Sequence, residues 1–239
     1  MNNAKIRTIT LRITLLFLAA FFAVAYGKEQ LLKAYIEYGL GDCRRIPILC
    51  MAPEEEISNF APDAGYLAEL LPYKFQEIKI SLPKGFTVVN EKIKRVYYKR
   101  RAGKKDGQTI YLLYEKPGFF INLFPALRKA GIKNDYVFLN RTMSAKTQEI
   151  HNLTDTLFVI IKTIFTPYLG EQKNVKMFKF SGENRKGFIS YNLSPKGNYF
   201  DCDIIDNQDN FFKIYIKDKA AALDLSKVIT IASTASATP

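Results

Sequence analysis

The stretch LTDTLFVIIKTIFTPY, residues 153–168, decides the fold. Leu157, Ile160, Ile161, Ile164 and Phe165 recur at helical spacing and share one face of a cylinder. Thr154 is placed to cap this helix, Leu153 to staple onto Phe158, and Pro167 to close it. Phe158 and Val159 spread the apolar surface further round, and Lys162 is the one charge after Asp155. A helix apolar on most sides is buried from more than one direction. The stretch therefore predicts a central core helix, too short to cross a bilayer, which takes about 20 apolar residues.

Working outward, the segment before this helix also reads as helical. Asn122 is placed to cap LFPALRKA, with Gly131 to end it; YVFLNRTMSA, opened by Asn134-Asp135, balances helix against strand and is read as a helix because Val137, Phe138 and Arg141 do not alternate cleanly. Upstream lie strand signals. Ile78, Ile80 and Leu82 alternate with Lys79 and Ser81, Pro83-Lys84-Gly85 is turn chemistry, and FTVV can return as a strand. RVYYKRR and TIYLLYE flank AGKKDGQ as a longer hairpin, stopped at Lys116-Pro117-Gly118. Downstream, VKMFKF, KGFISYNL, YFDCDII and FFKIYIKD are separated by the turn-like SGENR, SPKGN and DNQDN. They predict a four-stranded antiparallel meander in which Phe211, Phe212, Ile214 and Ile216 form one apolar face. Leu225, Val228, Ile229 and Ala232 then predict a C-terminal helix.

Strands, helices, strands and a helix make an α+β plan. An antiparallel sheet, built from the N-terminal strands and the C-terminal meander, is expected under a central helical block and the C-terminal helix. The order of elements is similar to that of the α/β/α sandwich of PsbP- and Mog1-like proteins, a resemblance of architecture that implies nothing about activity. The expected organisation is a signal peptide or signal anchor over 1–27, a helical stalk and irregular lead-in over 28–71, a single α+β domain over 72–232 and a disordered tail over 233–239. Within the lead-in, one short helix is expected near Tyr66–Leu71.

The N-terminus points to export. Lys5, Arg7 and Arg12 precede the uncharged ITLLFLAAFFAVAYG, and Ala23-Val24-Ala25 offers small residues at cleavage positions. The rival reading is an uncleaved anchor, with the N-terminus inside. That apolar run spans about 22 Å as a helix against a hydrocarbon core of about 30 Å. Either reading places the rest of the chain on the periplasmic or extracellular side. Export makes Cys43 and Cys50 a candidate disulfide, the alternative being that both stay unpaired with Cys202.

The net charge of +12 asks for a polyanionic neighbour. It is concentrated between Lys92 and Lys105, where Lys92, Lys94, Arg95, Lys99, Arg100, Arg101, Lys104 and Lys105 meet no acid and interleave with Tyr97 and Tyr98. As a hairpin this segment would project a positive finger. Nucleic acid would suit such a patch, but export argues for an anionic membrane surface or an acidic envelope polymer, with a protein partner also open. The bland alternative is an edge hairpin whose lysines block aggregation.

Catalytic signals are sparse. The one histidine, His151, abuts the core helix, and no GxSxG, HExxH, GxxxxGK[ST] or GxGxxG occurs. No cofactor and no metal site is expected. In DCDIIDNQDN, Asp206, Asn207 and Asn210 read as turn formers, because Ile204 and Ile205 fill the middle and the glycine of a calcium loop is missing. No catalytic residue is identified. The expectation is a non-enzymatic exported or membrane-tethered domain with a binding or scaffolding role in the cell envelope; the alternative is an envelope hydrolase acting through two carboxylates.

Overall fold

The computed structural model describes residues 27–39, 43–44, 46–57, 61–75, 77–87, 100–105, 107–170 and 174–238. The signal or anchor segment lies outside them, and among the described residues no helix is long and apolar enough to cross a membrane. The fold is α+β. Its elements are α1 (Lys28–Gly39), β1 (Glu54–Ile57), α2 (Ala64–Glu69), β2 (Leu70–Phe75), β3 (Ile78–Pro83), β4 (Arg100–Lys105) and β5 (Gln108–Glu115). There follow α3 (Phe119–Leu123), α4 (Asp135–Ser144), α5 (Leu153–Phe165), β6 (Lys176–Ser181), β7 (Arg185–Ser194), β8 (Gly197–Asp206), β9 (Phe211–Asp218), α6 (Leu225–Ser233) and β10 (Ser236–Ala237).

Strands β6 to β9 form the antiparallel meander that their turns demand. Asp206 makes the last turn by accepting the amides of Gln208 and Asn210 through its Oδ1. β5 pairs along β9, β4 pairs with β5, and β1 adds in parallel beside β6, giving the order β1-β6-β7-β8-β9-β5-β4. The two layers on this sheet follow from the period of its strands. Phe200, Cys202 and Ile204 of β8 and Phe212, Ile214 and Ile216 of β9 point to one side. Ile205, Phe211, Phe188 and Leu113 point to the other, against Phe120, Phe138, Phe158, Ile161 and Phe165 of the helical block. Phe211 and Phe212 therefore serve opposite cores, correcting the expectation that they share a face.

The N-terminal strands β2 and β3 do not join the main sheet. They form a second sheet with β10, in the order β10-β3-β2. Ile78, Ile80 and Leu82 of that sheet and Val228 and Ile231 of α6 cover the face opposite the helical block. A sheet with two apolar faces requires this second layer, whereas the sequence reading expected one covered face. Of the strand expected at FTVV, Val88 and Val89 lie outside the described residues.

Domain limits shift accordingly. Residues 28–71 are not a stalk: Ile36 of α1 is fully buried against Leu49, Ile150 and Val159, and β1 belongs to the main sheet. The boundary expected at Pro72 falls inside β2, and the helix expected near Tyr66 ends at Glu69. The tail over 233–239 is not disordered where it is described. Ser236 and Ala237 pair with Lys79 and Ile78, the Thr238 amide donates to the Glu77 carbonyl at 2.7 Å, and Ala235 is buried.

The core helix α5 is present, turned from its expected face. Asn152, not Thr154, caps it by accepting the Asp155 amide, and Leu153 is exposed. Phe158, Ile161 and Phe165 enter the main core and Val159 the smaller core under α1, while Ile164 is 48% exposed. Asn122 lies inside α3, and LFPALRKA is a 3-10 turn over Pro125–Ala130, ended by Gly131 in the left-handed region. Because Gly118 has no side chain to cap α3, Asp135 supplies one, its Oδ1 accepting the amides of Phe120 and Ile121. Gly187 is required by close approach: a Cβ there would collide with the Asp203 carbonyl oxygen on β8.

Phe138 is fully buried, with ring centroids 4.9 Å from Phe120 and 5.8 Å from Phe158. Phe138→Ala is expected to cost about 3–5 kcal/mol in chemical denaturation, whereas Ile164→Ala on the exposed side of α5 costs less than about 1 kcal/mol. Equal losses at the two sites would overturn the observed orientation of α5.

Candidate functional site

The densest chemistry lies inside the main sheet, on the face under the helices. The pairing of β8 with β9 sets Asp203 directly opposite Lys213 and Asp201 opposite Tyr215. Residues two apart on a strand share a face, so one ammonium meets both carboxyl groups. Lys213 Nζ donates to Asp201 Oδ2 at 2.7 Å and to Asp203 Oδ1 at 2.8 Å. The relative exposures of Asp201, Asp203 and Lys213 are 1%, 1% and 5%. The neighbouring strands set Phe188 beside Asp203 and Leu113 beside Lys213, which excludes solvent.

With all three groups ionised the cluster would carry a net negative charge in a dry site, at high cost. Burial accordingly pushes Asp201 up to about 8, against the attraction of Lys213 and reinforced by Asp203. Burial raises Asp203 as well. For Lys213 burial acts downward, but the two carboxylates outweigh it and its pKa rises. Asp201 therefore keeps a proton at neutral pH, and its Oδ1 has no hydrogen-bond partner. The Cys202 thiol between the two aspartates faces the opposite core and is pushed well up by burial.

A second buried cation sits in α5. Lys162 is fully buried, and its Nζ donates to the carbonyls of Met51 at 2.6 Å and Ala145 at 2.8 Å. It thus ties the chain before β1 and the end of α4 to the core helix. Beside Ala145 lies a notch of about 120 Å³ lined by Arg141, Ser144, Lys146, Glu149, Asp155 and Phe158. Its charges are already matched, Arg141 to Asp155 at 2.7 Å and Lys146 to Glu149 at 2.9 Å. Asp155 also accepts the amide of the exposed His151.

Of the basic residues singled out in the sequence, Lys92, Lys94, Arg95 and Lys99 lie outside the described residues. Arg100, Arg101, Lys104 and Lys105 lie on β4, the edge of the main sheet, opposite Leu112, Tyr111, Thr109 and Gln108 of β5. Cys43 and Cys50 are joined as a disulfide with Cα atoms 5.7 Å apart, and Cys202 is unpaired. Among the described residues no group of His, Cys, Asp and Glu is arranged to hold a metal ion. The buried triad was missed because the aspartates of DCDIIDNQDN were weighed only as calcium ligands or turn formers; a hairpin register centred on its turn would have set Asp203 against Lys213. No protein-family model matches the chain, and no curated protein matches it in sequence.

Burial lowers Lys162 from 10.5 to about 7, helped by the charge of Lys146 and opposed by Glu149. The folded state therefore holds this proton less tightly than the unfolded chain. Between about 7 and 10.5 the unfolded state binds more protons, so stability rises with pH there, by at most about 1.4 kcal/mol per pH unit. The unfolding free energy of the native protein minus that of Lys162→Met, measured by denaturant titration, should be flat below about pH 7 and climb above it. A difference that is flat throughout would show that Lys162 stays charged in the folded protein.

Proposed function

We propose that this chain is an exported or membrane-tethered domain with a non-enzymatic binding or scaffolding role, presenting basic residues to an anionic surface of the cell envelope. What carries the reading is where the charge lies. The carboxylates that come together within the main sheet are sealed against Lys213, and those of the surface notch are matched by Arg141 and Lys146. Neither of these two arrangements offers the paired carboxyl groups of a hydrolase; Glu77 and Glu115 line a separate surface cleft of about 460 Å³ together with Lys116. The chain as a whole carries a net charge of +12, and its densest basic run leads onto the edge strand β4. Supporting the export half are the apolar N-terminal segment and the Cys43–Cys50 bond, since disulfides persist in oxidising compartments.

Two experiments test it. Mass spectrometry of the mature protein should find an N-terminus at or near Tyr26, and Ala25→Leu should leave the chain unprocessed in the membrane; a full-length soluble cytosolic product would overturn export. For the surface, Lys99→Glu, Arg100→Glu, Lys104→Glu and Lys105→Glu are combined. Each cation near an anionic bilayer is worth about 1 kcal/mol, so reversing four lowers affinity for anionic vesicles by about a thousandfold or more. Cosedimentation of the unaltered protein should weaken as salt shortens the Debye length toward about 8 Å. Equal binding by both proteins would reduce the hairpin to a solvated sheet edge.

A further inference from the structure

We propose that Lys213 and Asp203 condense into an intramolecular isopeptide bond, with Asp201 moving the protons. This is independent of the surface role proposed above, because all three groups are internal. The geometry is preset: Asp203 and Lys213 are register partners on adjacent strands, and Lys213 Nζ lies 2.8 Å from Asp203 Oδ1. Held reactants of this kind need no diffusive encounter, which removes much of the entropic barrier. Asp201 reaches the same nitrogen from the other side, Oδ2 at 2.7 Å, with Oδ1 unpartnered.

The surroundings favour the covalent state. In water an amine and a carboxylic acid stay ionised and apart, but here the three groups are enclosed by Phe188, Leu113 and the helical layer. Dry surroundings penalise the ammonium and the carboxylate; their pairing offsets that penalty and holds the Lys213 pKa up, and condensation replaces both charges with a neutral amide.

The step balances without an oxidant or co-reactant. The Lys213 ammonium passes a proton to the Asp203 carboxylate, leaving a free amine and a neutral acid. The nitrogen lone pair attacks Asp203 Cγ and the C–N bond forms. Asp201, which burial holds protonated at neutral pH, gives its proton to the departing hydroxyl and takes one from the nitrogen. The Cγ–O bond breaks, water leaves, and Asp201 is again a neutral acid.

The test is the mass of the folded full chain and of its tryptic peptides under reducing, denaturing conditions. Trypsin cannot cut at an acylated lysine, so the linked protein yields residues 197–217 as one peptide, lighter by one water, with no backbone fragments between Asp203 and Lys213. Asp201→Asn should restore cleavage at Lys213 and the full mass, as should Lys213→Arg, whose guanidinium forms no such amide. If either variant fails to fold, the native peptide alone decides. Cleavage at Lys213 with no loss of water would overturn the bond, and so would a water loss that leaves Lys213 cleavable. A link at Asp201 would overturn the assigned roles.

Discussion

Strand β8 has no exposed face. Nine of its ten residues are buried, and the tenth is the turn-forming Asp206. A strand covered on both sides obliges the chain to build a layer on each. The helical block supplies one, through the aromatic group around Phe120 and Phe138. The small sheet and α6 supply the other, through Ile80, Leu82 and Ile231. The C-terminal residues past α6 belong to this demand, because β10 completes the small sheet that closes the second layer. Two aspartates on so enclosed a strand must be neutralised internally, and Lys213 is the group that the register brings to them.

Helix α5 obeys the same constraint. It is buried between two cores and carries a lysine, and no acid is bonded to that nitrogen. Two backbone carbonyls take the ammonium instead, one before β1 and one at the end of α4. A buried polar group is tolerated where its hydrogen bonds are made, so Lys162 holds segments far apart in sequence onto one helix. This explains why residues 28–71 are integral: α1 and the 3-10 turn over Pro47–Cys50 pack against Val159, and Lys162 holds Met51, just before β1 joins the main sheet beside β6.

Local signals made part of this legible. The meander was readable because its turns fall between strands of clear period, and α5 and α6 because their apolar spacing is helical; over α4 helix and strand were nearly balanced, and only the lack of clean alternation favoured the helix. The split into two sheets was not readable. Nothing local in β3 says whether Ile78, Ile80 and Leu82 extend the main sheet or pack across it, since both use the same alternation. The rotation of α5 was misjudged because Ile164 is as apolar as Ile161, and only tertiary packing separates them. The tail was misread because two-residue strands carry no periodicity. As for the site, charged residues were read as solvated or turn-forming, the usual case, and so the cluster at Asp201, Asp203 and Lys213 was overlooked.

A buried triad of this kind says more about register than about stability. Replacing such a cluster with well-packed apolar residues is often neutral or stabilising, so its presence needs another physical reason. A slip of β9 by one residue against β8 would carry every side chain to the opposite face. Lys213 would then enter the core built from Phe200, Cys202 and Ile204, and the two aspartates would face Phe188 and the helices unpaired. Each uncompensated charge would cost several kcal/mol, so the wrong pairing is penalised far more than the right one is rewarded. β8 and β9 are apolar on both faces and could otherwise slide, because a hydrophobic pattern marks register only where one face differs from the other. The three polar side chains supply the difference that the apolar residues lack.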